Sequence, residues 1–124
     1  MTNRAIKVLL VDDEPDLLLL LGILFDLEPD LEVVGTAGNG AEALEVAHRV
    51  APDLVVMDLL MPGTDGFEAI ARLREELPDL PIVAYSAVIS ELSLKQVERH
   101  RVPLVLKQGD SGPLIDVIRE TVAG

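Results

Sequence analysis

LVVMDLLMPGTDG, residues 54–66, is the segment that says most about the architecture of this chain. Four consecutive apolar residues predict a buried strand, and Asp58, which ends the run, is followed by residues typical of a turn. Three other segments have the same form: VLLVDDEPD at 8–16, PIVAYSA at 81–87 and VLKQGD at 105–110. The polar residues at which their apolar runs stop are Asp12 with Asp13, Ser86, and Lys107.

Strand-like and helix-like segments alternate along the whole chain. The strand-like runs are residues 6–11, 31–35, 54–58, 81–86 and 103–107, and the helical patterns cover 15–27, 40–50, 66–77, 91–101 and 111–122. Asp13 with Pro15, and Ser111 with Pro113, are typical helix-start signals. Because crossover helices pack back onto a parallel sheet, this alternation predicts an α/β fold: a doubly wound, five-stranded parallel sheet of (βα)5 form, with helices on both faces.

Length and composition limit the classes of function. A chain of 124 residues is expected to form one domain, residues 1–124. It has no cysteine, which excludes disulfides and thiolate metal sites, and its first residues lack an export signal, so we expect a cytoplasmic protein. The net charge of -12 repels phosphate backbones and anionic lipid. We therefore expect proteins or cations as partners, and neither nucleic acid nor a membrane.

The first helical segment is unusually apolar, since residues 17–25 contain no polar side chain. At a rise of about 1.5 Å per residue, this run is too short for a hydrocarbon core of about 30 Å, so we do not interpret it as a membrane span. It is also more apolar than one buried helical face requires. Either this helix is buried on most sides, or it exposes an apolar patch.

The polar strand ends predict a shared site, because ligands of doubly wound sheets bind outside the carboxyl ends of the strands. Asp12, Asp13 and Asp58 would repel one another there unless a cation joined them. All-oxygen ligation without histidine or cysteine favours Mg²⁺, and Lys107 can balance a bound phosphoryl group. A carboxylate in such a site can attack an activated phosphoryl donor and form an acyl phosphate, to which Ser86 can donate a hydrogen bond.

With these motifs, the chain resembles the receiver domain of two-component response regulators over essentially its whole length. The resemblance implies a flavodoxin-like sheet of order 2-1-3-4-5 and phosphorylation of Asp58 by a histidine kinase or a histidine phosphotransfer protein. It implies that Mg²⁺ is held directly by Asp13, through water by Asp12, and also by Asp58 and the backbone carbonyl of Leu60.

The resemblance assigns further roles at the same site. Ser86 matches the hydroxyl residue that bonds the phosphoryl group, Ala87 the small residue beside it, and Lys107 the lysine that completes the site. Receivers catalyse their own phosphorylation and slow dephosphorylation without being conventional enzymes, and they typically offer the first helix to the phosphodonor. Output is expected through a downstream protein or effector domain, around residues 91–105, and the oligomeric state, including a homodimer, stays open.

The chain departs from the family pattern at two positions. Leu104 stands where receivers usually carry an aromatic switch residue, and alternation along the strand should direct Tyr85 to the opposite face, so we do not regard Tyr85 as a substitute. Gln108 replaces the proline that commonly follows the lysine in a cis peptide. We expect a trans bond at Gln108, with Gly109 supplying any unusual dihedral angle.

Three alternatives compete with the phosphorylation hypothesis. Asp12 and Asp13 can be explained as caps of the first helix. A second alternative is a receiver-like protein-binding module that is never phosphorylated. The third, a phosphatase of the haloacid dehalogenase type, needs a second aspartate two residues after the nucleophile, where this chain has Leu60. Because Leu60 and Val88 are apolar where polar side chains could orient water, we predict a long-lived acyl phosphate.

Overall fold

A computed structural model of the chain describes residues 4–107 and 110–123. Five parallel strands form the main sheet, and two very short strands form a separate antiparallel hairpin. The strands are β1 (Ile6–Val11), β2 (Leu31–Ala37), β3 (Leu54–Asp58), β4 (Leu60–Met61), β5 (Thr64–Asp65), β6 (Ile82–Ser86) and β7 (Leu104–Leu106). The main sheet has the order β2-β1-β3-β6-β7, which is the expected 2-1-3-4-5 order once the β4–β5 hairpin is set aside. The predicted fold class is confirmed.

Four helices connect the strands and a fifth follows β7: α1 (Pro15–Asp26), α2 (Gly40–Val50), α3 (Gly66–Glu76), α4 (Glu91–Arg99) and α5 (Gly112–Ala123). Side-chain caps begin three of them, from Asn39 to α2, from Asp65 to α3 and from Ser90 to α4. Helix α1 differs, because its N-cap is Glu14 and no side chain caps it. The alternative explanation of Asp12 and Asp13 as caps of this helix is therefore wrong. None of the helices in the described residues is long and apolar enough to cross a membrane.

Two boundaries differ from prediction by more than one residue. Strand β2 continues to Ala37 instead of residue 35, because Ala37 still pairs with Val11 of β1. Helix α4 ends at Arg99 instead of residue 101, and Arg101 has a left-handed φ of 57° that no helix can continue. Gln108 and Gly109, for which we expected a trans bond and an unusual dihedral angle, lie outside the described residues.

Both faces of the sheet are covered, as its apolar strands require. One core cluster joins the sheet to α2, α3 and α4, with Ile70, Leu73 and Val97 among its buried members. The other joins the sheet to α1 and α5 and includes Phe25 and Ile118. Strands β3 and β6 are buried along their whole length and β1 from Val8 onwards, so close packing holds the strand ends in place.

Arginines stabilise the edge of the sheet at which the strands begin. The Arg119 guanidinium bonds both oxygens of Asp30, which precedes β2, at 2.8 Å. Arg4 bonds Asp53, which precedes β3, at 3.1 Å. Arg74 donates to the carbonyl oxygen of Leu80, before β6, at 2.7 Å. Each of these acceptors therefore has an arginine partner.

Candidate functional site

The site begins at the end of β1, where Val11 is followed by two aspartates. The N–H of Asp12 donates to the Ala37 carbonyl oxygen at 3.0 Å, so β2 still holds the chain as it leaves the sheet. Asp12 is buried, and its Oδ1 accepts the N–H of Glu14 at 2.9 Å. Asp13 is exposed. One carboxylate is thus held inside the edge of the sheet, and its neighbour is open to solvent.

Asp58 ends β3 and is 3% exposed. Its Oδ1 accepts the N–H of Leu60 at 3.1 Å, at the start of the β4–β5 hairpin. Gly66, which begins α3 after this hairpin, lies so close that a Cβ there would be 2.7 Å from the Leu59 Cα and 3.0 Å from the Asp58 carbonyl oxygen. Only glycine allows α3 to pack this tightly against the turn that carries the aspartate.

Lys107 connects the two buried aspartates. Its N–H donates to the Ser86 carbonyl oxygen at 2.7 Å, which places its side chain at the same edge of the sheet. Its Nζ donates to Asp12 Oδ2 at 2.7 Å and lies 3.3 Å from Asp58 Oδ2. Four residues predicted from strand ends, Asp12, Asp13, Asp58 and Lys107, are therefore brought together.

Burial determines the electrostatics of this group. Removal from water raises the pKa of Asp58 above its usual range, although the Leu60 N–H and the Lys107 ammonium favour its charged form and Asp12 opposes it. Burial by itself lowers the pKa of Lys107, but its hydrogen bond to Asp12 and the charge of Asp58 outweigh that effect and raise it. A charged ammonium thus faces carboxylates that outnumber it.

The carboxylates form a candidate metal centre. Asp12, Asp13 and Asp58 each offer an oxygen, and these oxygens lie within 4.8 Å of one another. In residues 4–107 and 110–123 they are the only group of three or more histidine, cysteine or acidic side chains so arranged. Hard oxygen donors without imidazole or thiolate suit Mg²⁺, and exposed Asp13 leaves the group accessible. The donor set fits this ion.

Leu60 and Ser86, two further predicted site residues, form hydrogen bonds at the strand ends. The N–H of Leu60 bonds Asp58, whereas the role of the Leu60 carbonyl oxygen as a metal ligand stays a prediction. Ser86 is fully buried, and its Oγ donates to the Val88 carbonyl oxygen at 2.9 Å. The Ser86 hydroxyl is thus hydrogen-bonded within the loop that follows β6. Ala87, beside it, is exposed. The side chains of Leu60 and Val88 are 57% and 59% exposed.

Leu104 and Tyr85 lie on opposite faces of the sheet. Leu104 packs against the cluster under α2, α3 and α4, whereas Tyr85 belongs to the cluster under α1 and α5. The prediction from strand alternation is confirmed. Sequence reasoning missed that the Lys107 Nζ lies 5.6 Å from the centroid of the Tyr85 ring. It also missed Gly66, for which its place directly after the turn following Asp58 was the available signal.

Helix α1 exposes an apolar patch, which decides between the two alternatives for this helix. The patch consists of Leu19, Leu20, Ile23 and Leu27, which are 66%, 51%, 53% and 71% exposed. Leu21 and Phe25 face the core instead. The patch thus lies on the side of the helix that turns away from the sheet.

Known proteins are similar to this chain in sequence and in fold. The chain is 33% identical over 121 residues to the response regulator protein VraR of Staphylococcus epidermidis, covering 97% of the chain and 58% of that relative. It is 45% identical over 83 residues to protein-glutamate methylesterase/protein-glutamine glutaminase 2 of Methanospirillum hungatei, covering 67% of the chain and 23% of that relative. The chain therefore spans less than two thirds of both relatives.

A solved structure and a family model indicate the same family as these relatives. The crystal structure of the response regulator domain of Thermotoga maritima CheB superposes with a TM-score of 0.86 at 28% identity, covering 98% of both chains. Residues 8–119 match the family model of the response regulator receiver domain. This match covers most of the chain and contains the Asp12, Asp13, Asp58 and Lys107 group. The chain belongs to the response regulator receiver domain family of two-component systems.

Proposed function

We propose that the chain is a phosphorylation switch in which Asp58 accepts a phosphoryl group from a histidine kinase or a histidine phosphotransfer protein. The observation that carries the proposal is the group of Asp12, Asp13 and Asp58 oxygens within 4.8 Å, with the Lys107 Nζ 3.3 Å from Asp58 Oδ2. Mg²⁺ would be held by these three carboxylates and the carbonyl oxygen of Leu60, and would neutralise charge on the phosphoryl oxygens.

The residues of the chain perform the transfer as follows. An Asp58 oxygen forms a bond to phosphorus while the bond from phosphorus to the donor histidine nitrogen breaks, and its electron pair stays on that nitrogen. Lys107 then leaves the aspartates for the phosphoryl oxygens, where its charge is needed. Ser86 rotates from the Val88 carbonyl oxygen and donates its hydroxyl to the same group. The N–H of Leu60 holds Asp58 in place.

Intact mass spectrometry after incubation with acetyl phosphate and Mg²⁺ tests the acceptor directly. The unaltered chain is expected to gain one phosphoryl group, and Asp58→Asn or an excess of chelator to prevent this. A phosphorylated Asp58→Asn variant would contradict the assignment. No gain in the unaltered chain, with Mg²⁺ shown to bind, would favour a protein-binding module that is not phosphorylated.

The α1 patch is our proposed docking surface for the phosphodonor protein. Leu19→Lys changes the patch, and Leu92→Lys on α4 is a matched control, because both leucines are 66% exposed. We expect Leu19→Lys to slow transfer from the cognate kinase but not from acetyl phosphate, and Leu92→Lys to leave both rates unchanged. Equal transfer from the kinase to Leu19→Lys and the unaltered chain would refute docking at α1.

The rim of the site bears on the lifetime of the acyl phosphate. Leu60 and Val88 place exposed apolar side chains at positions where polar side chains could orient an attacking water molecule. We therefore propose slow self-catalysed hydrolysis, and faster hydrolysis in a Leu60→Asn variant. Loss of the phosphoryl group within seconds from the unaltered chain would overturn this. In this proposal the chain is a single cytoplasmic receiver domain that signals to a downstream protein or effector domain.

A further inference from the structure

Tyr85 is the only tyrosine of a chain without tryptophan, and it lies beside the site. It precedes Ser86 in β6 and is 5% exposed, in the core cluster under α1 and α5. The Lys107 Nζ lies 5.6 Å from the centroid of its ring. No described residue forms a hydrogen bond with its hydroxyl group, so the ring face is the part of Tyr85 that meets the site.

Among residues 4–107 and 110–123, the Lys107 ammonium has three close partners. Two are carboxylates, Asp12 at 2.7 Å and Asp58 at 3.3 Å, and the third is the Tyr85 ring. The lysine side chain is 15% exposed, so little water competes with the ring for the ammonium. Lysine is a point charge on a flexible stem, and an aromatic face restricts where that charge can lie.

The ring also borders a cavity. This cavity has a volume of about 260 Å³, and Lys107 and Tyr85 form its wall towards the site. Its other lining residues are Leu17, Leu20, Leu21 and Leu24 of α1 and Ser111 before α5. The cavity leaves space for the Tyr85 ring to move with the ammonium. No hydrogen bond from the Tyr85 hydroxyl to a described residue has to break for this movement.

We propose that Tyr85 is a positioning residue for Lys107: its ring holds the ammonium beside Asp12 and Asp58, and ring and ammonium move together when Asp58 is phosphorylated. The proposal rests on the proposed phosphorylation of Asp58. Tyr85 acts on the face of the sheet that α1 and α5 cover, opposite the face on which Leu104 packs.

A double-mutant cycle tests this positioning. Tyr85→Leu removes the ring face, and we expect phosphorylation by acetyl phosphate to be about tenfold slower, within the range of a desolvated cation–π contact. Tyr85→Phe keeps the ring and should restore the rate. In a Lys107→Ala background, Tyr85→Leu should have no further effect, because its effect acts through the ammonium. Phe25→Leu, in the same core cluster, is the control for aromatic truncation.

The outcomes separate positioning from core packing. Equal slowing by Tyr85→Leu with and without Lys107 would overturn the proposal, and so would a rate for Tyr85→Leu equal to that of the unaltered chain. If Tyr85→Leu fails to fold by circular dichroism, the tyrosine emission of the unaltered chain decides, because it comes from one residue. An emission change that follows the gain in mass supports the proposal, and constant emission overturns it. Failure of the proposed function is seen differently, as no gain in mass.

Discussion

The two edges of the sheet arrange carboxylates and basic side chains in different ways. At the edge where strands begin, Asp30 and Asp53 each pair with an arginine, and these pairs are partly open to water. At the edge where strands end, Asp12 and Asp58 are 3% exposed and share one lysine, with Asp13 beside them. Arg119 also bonds Glu28 at 2.6 Å, so together with Arg4 and Arg74 three arginines face three carboxylates at the first edge. The second edge keeps an excess of negative charge out of water.

The difference in charge balance indicates which edge stabilises the fold and which edge binds a ligand. Exposed ion pairs contribute little but cost little, because water screens them. Buried carboxylates with too few cations are costly, and a protein retains such a cost where a ligand relieves it. We therefore interpret the balanced edge as structural and the unbalanced edge as the place where a cation and a phosphoryl group bind.

The largest expected difference between the edges is in the rate of phosphorylation. Lys107→Ala removes the cation that stabilises charge on the transferring group, and we expect uptake from acetyl phosphate to be about 100-fold slower. Arg119→Ala, at the balanced edge, should lower the melting temperature and leave the rate unchanged. The rates are measured by intact mass against time. A normal rate for Lys107→Ala would remove the functional distinction between the two edges.

The next largest effect is on stability in the presence of Mg²⁺. Binding to the folded chain at about 100 times the dissociation constant stabilises it by about 2.7 kcal/mol, so the melting temperature should rise. Asp13→Asn should reduce this rise, whereas Asp53→Asn at the other edge should not. Differential scanning calorimetry with and without Mg²⁺ measures both. The same rise in Asp13→Asn would show that the ion binds elsewhere.

A smaller effect of opposite sign is expected when one carboxylate at each edge becomes an amide, without Mg²⁺ at neutral pH. Because burial raises the pKa of Asp58, its charged form is disfavoured in the fold, and Asp58→Asn should stabilise the chain by about 1 kcal/mol. Asp30→Asn should destabilise it by less than about 1 kcal/mol, since its pair is partly exposed. Chemical denaturation measures both, and a destabilised Asp58→Asn variant would contradict the cost assigned to burying the charged Asp58 carboxylate.

The smallest effect is the pH dependence of the Asp30 pair. Its hydrogen bond with Arg119 lowers the pKa of Asp30 in the folded chain. The stabilisation is therefore fully present above the unfolded value of about 3.9 and is lost as the pH falls through the folded pKa. The difference in stability between Asp30→Asn and the unaltered chain should vanish in that acidic range. A difference that persists below it would mean that the ion pair is not its cause.

Sequence alone predicted the sheet and most of the site because both depend on local signals. Apolar runs that end in polar residues marked the ends of β1, β3, β6 and β7, and parallel strands bring such ends to one edge. Asp12, Asp58 and Lys107 therefore met as expected. Their roles in metal binding and phosphoryl transfer stay proposals.

The remaining features depend on packing between distant segments. Strands β4 and β5 have two residues each, too few for any periodicity to predict them. Nothing in the sequence marks the left-handed Arg101 that follows α4. Asp13 has the residue type of a cap, but Glu14 takes that position. The strand order was predicted, but the contact between the Lys107 ammonium, just after β7, and the Tyr85 ring of β6 depends on side-chain conformations that the sequence does not show.

We propose that the excess of carboxylates makes Asp58 the phosphorylated residue in a reaction that needs Mg²⁺. Borohydride reduces an aspartyl phosphate to homoserine, so peptide mass mapping after reduction locates the phosphoryl group. We predict homoserine at position 58 alone, formed with Mg²⁺ and absent with chelator. Homoserine at position 12 or 13 would contradict phosphorylation of Asp58, and homoserine at position 58 without Mg²⁺ would contradict the need for the ion.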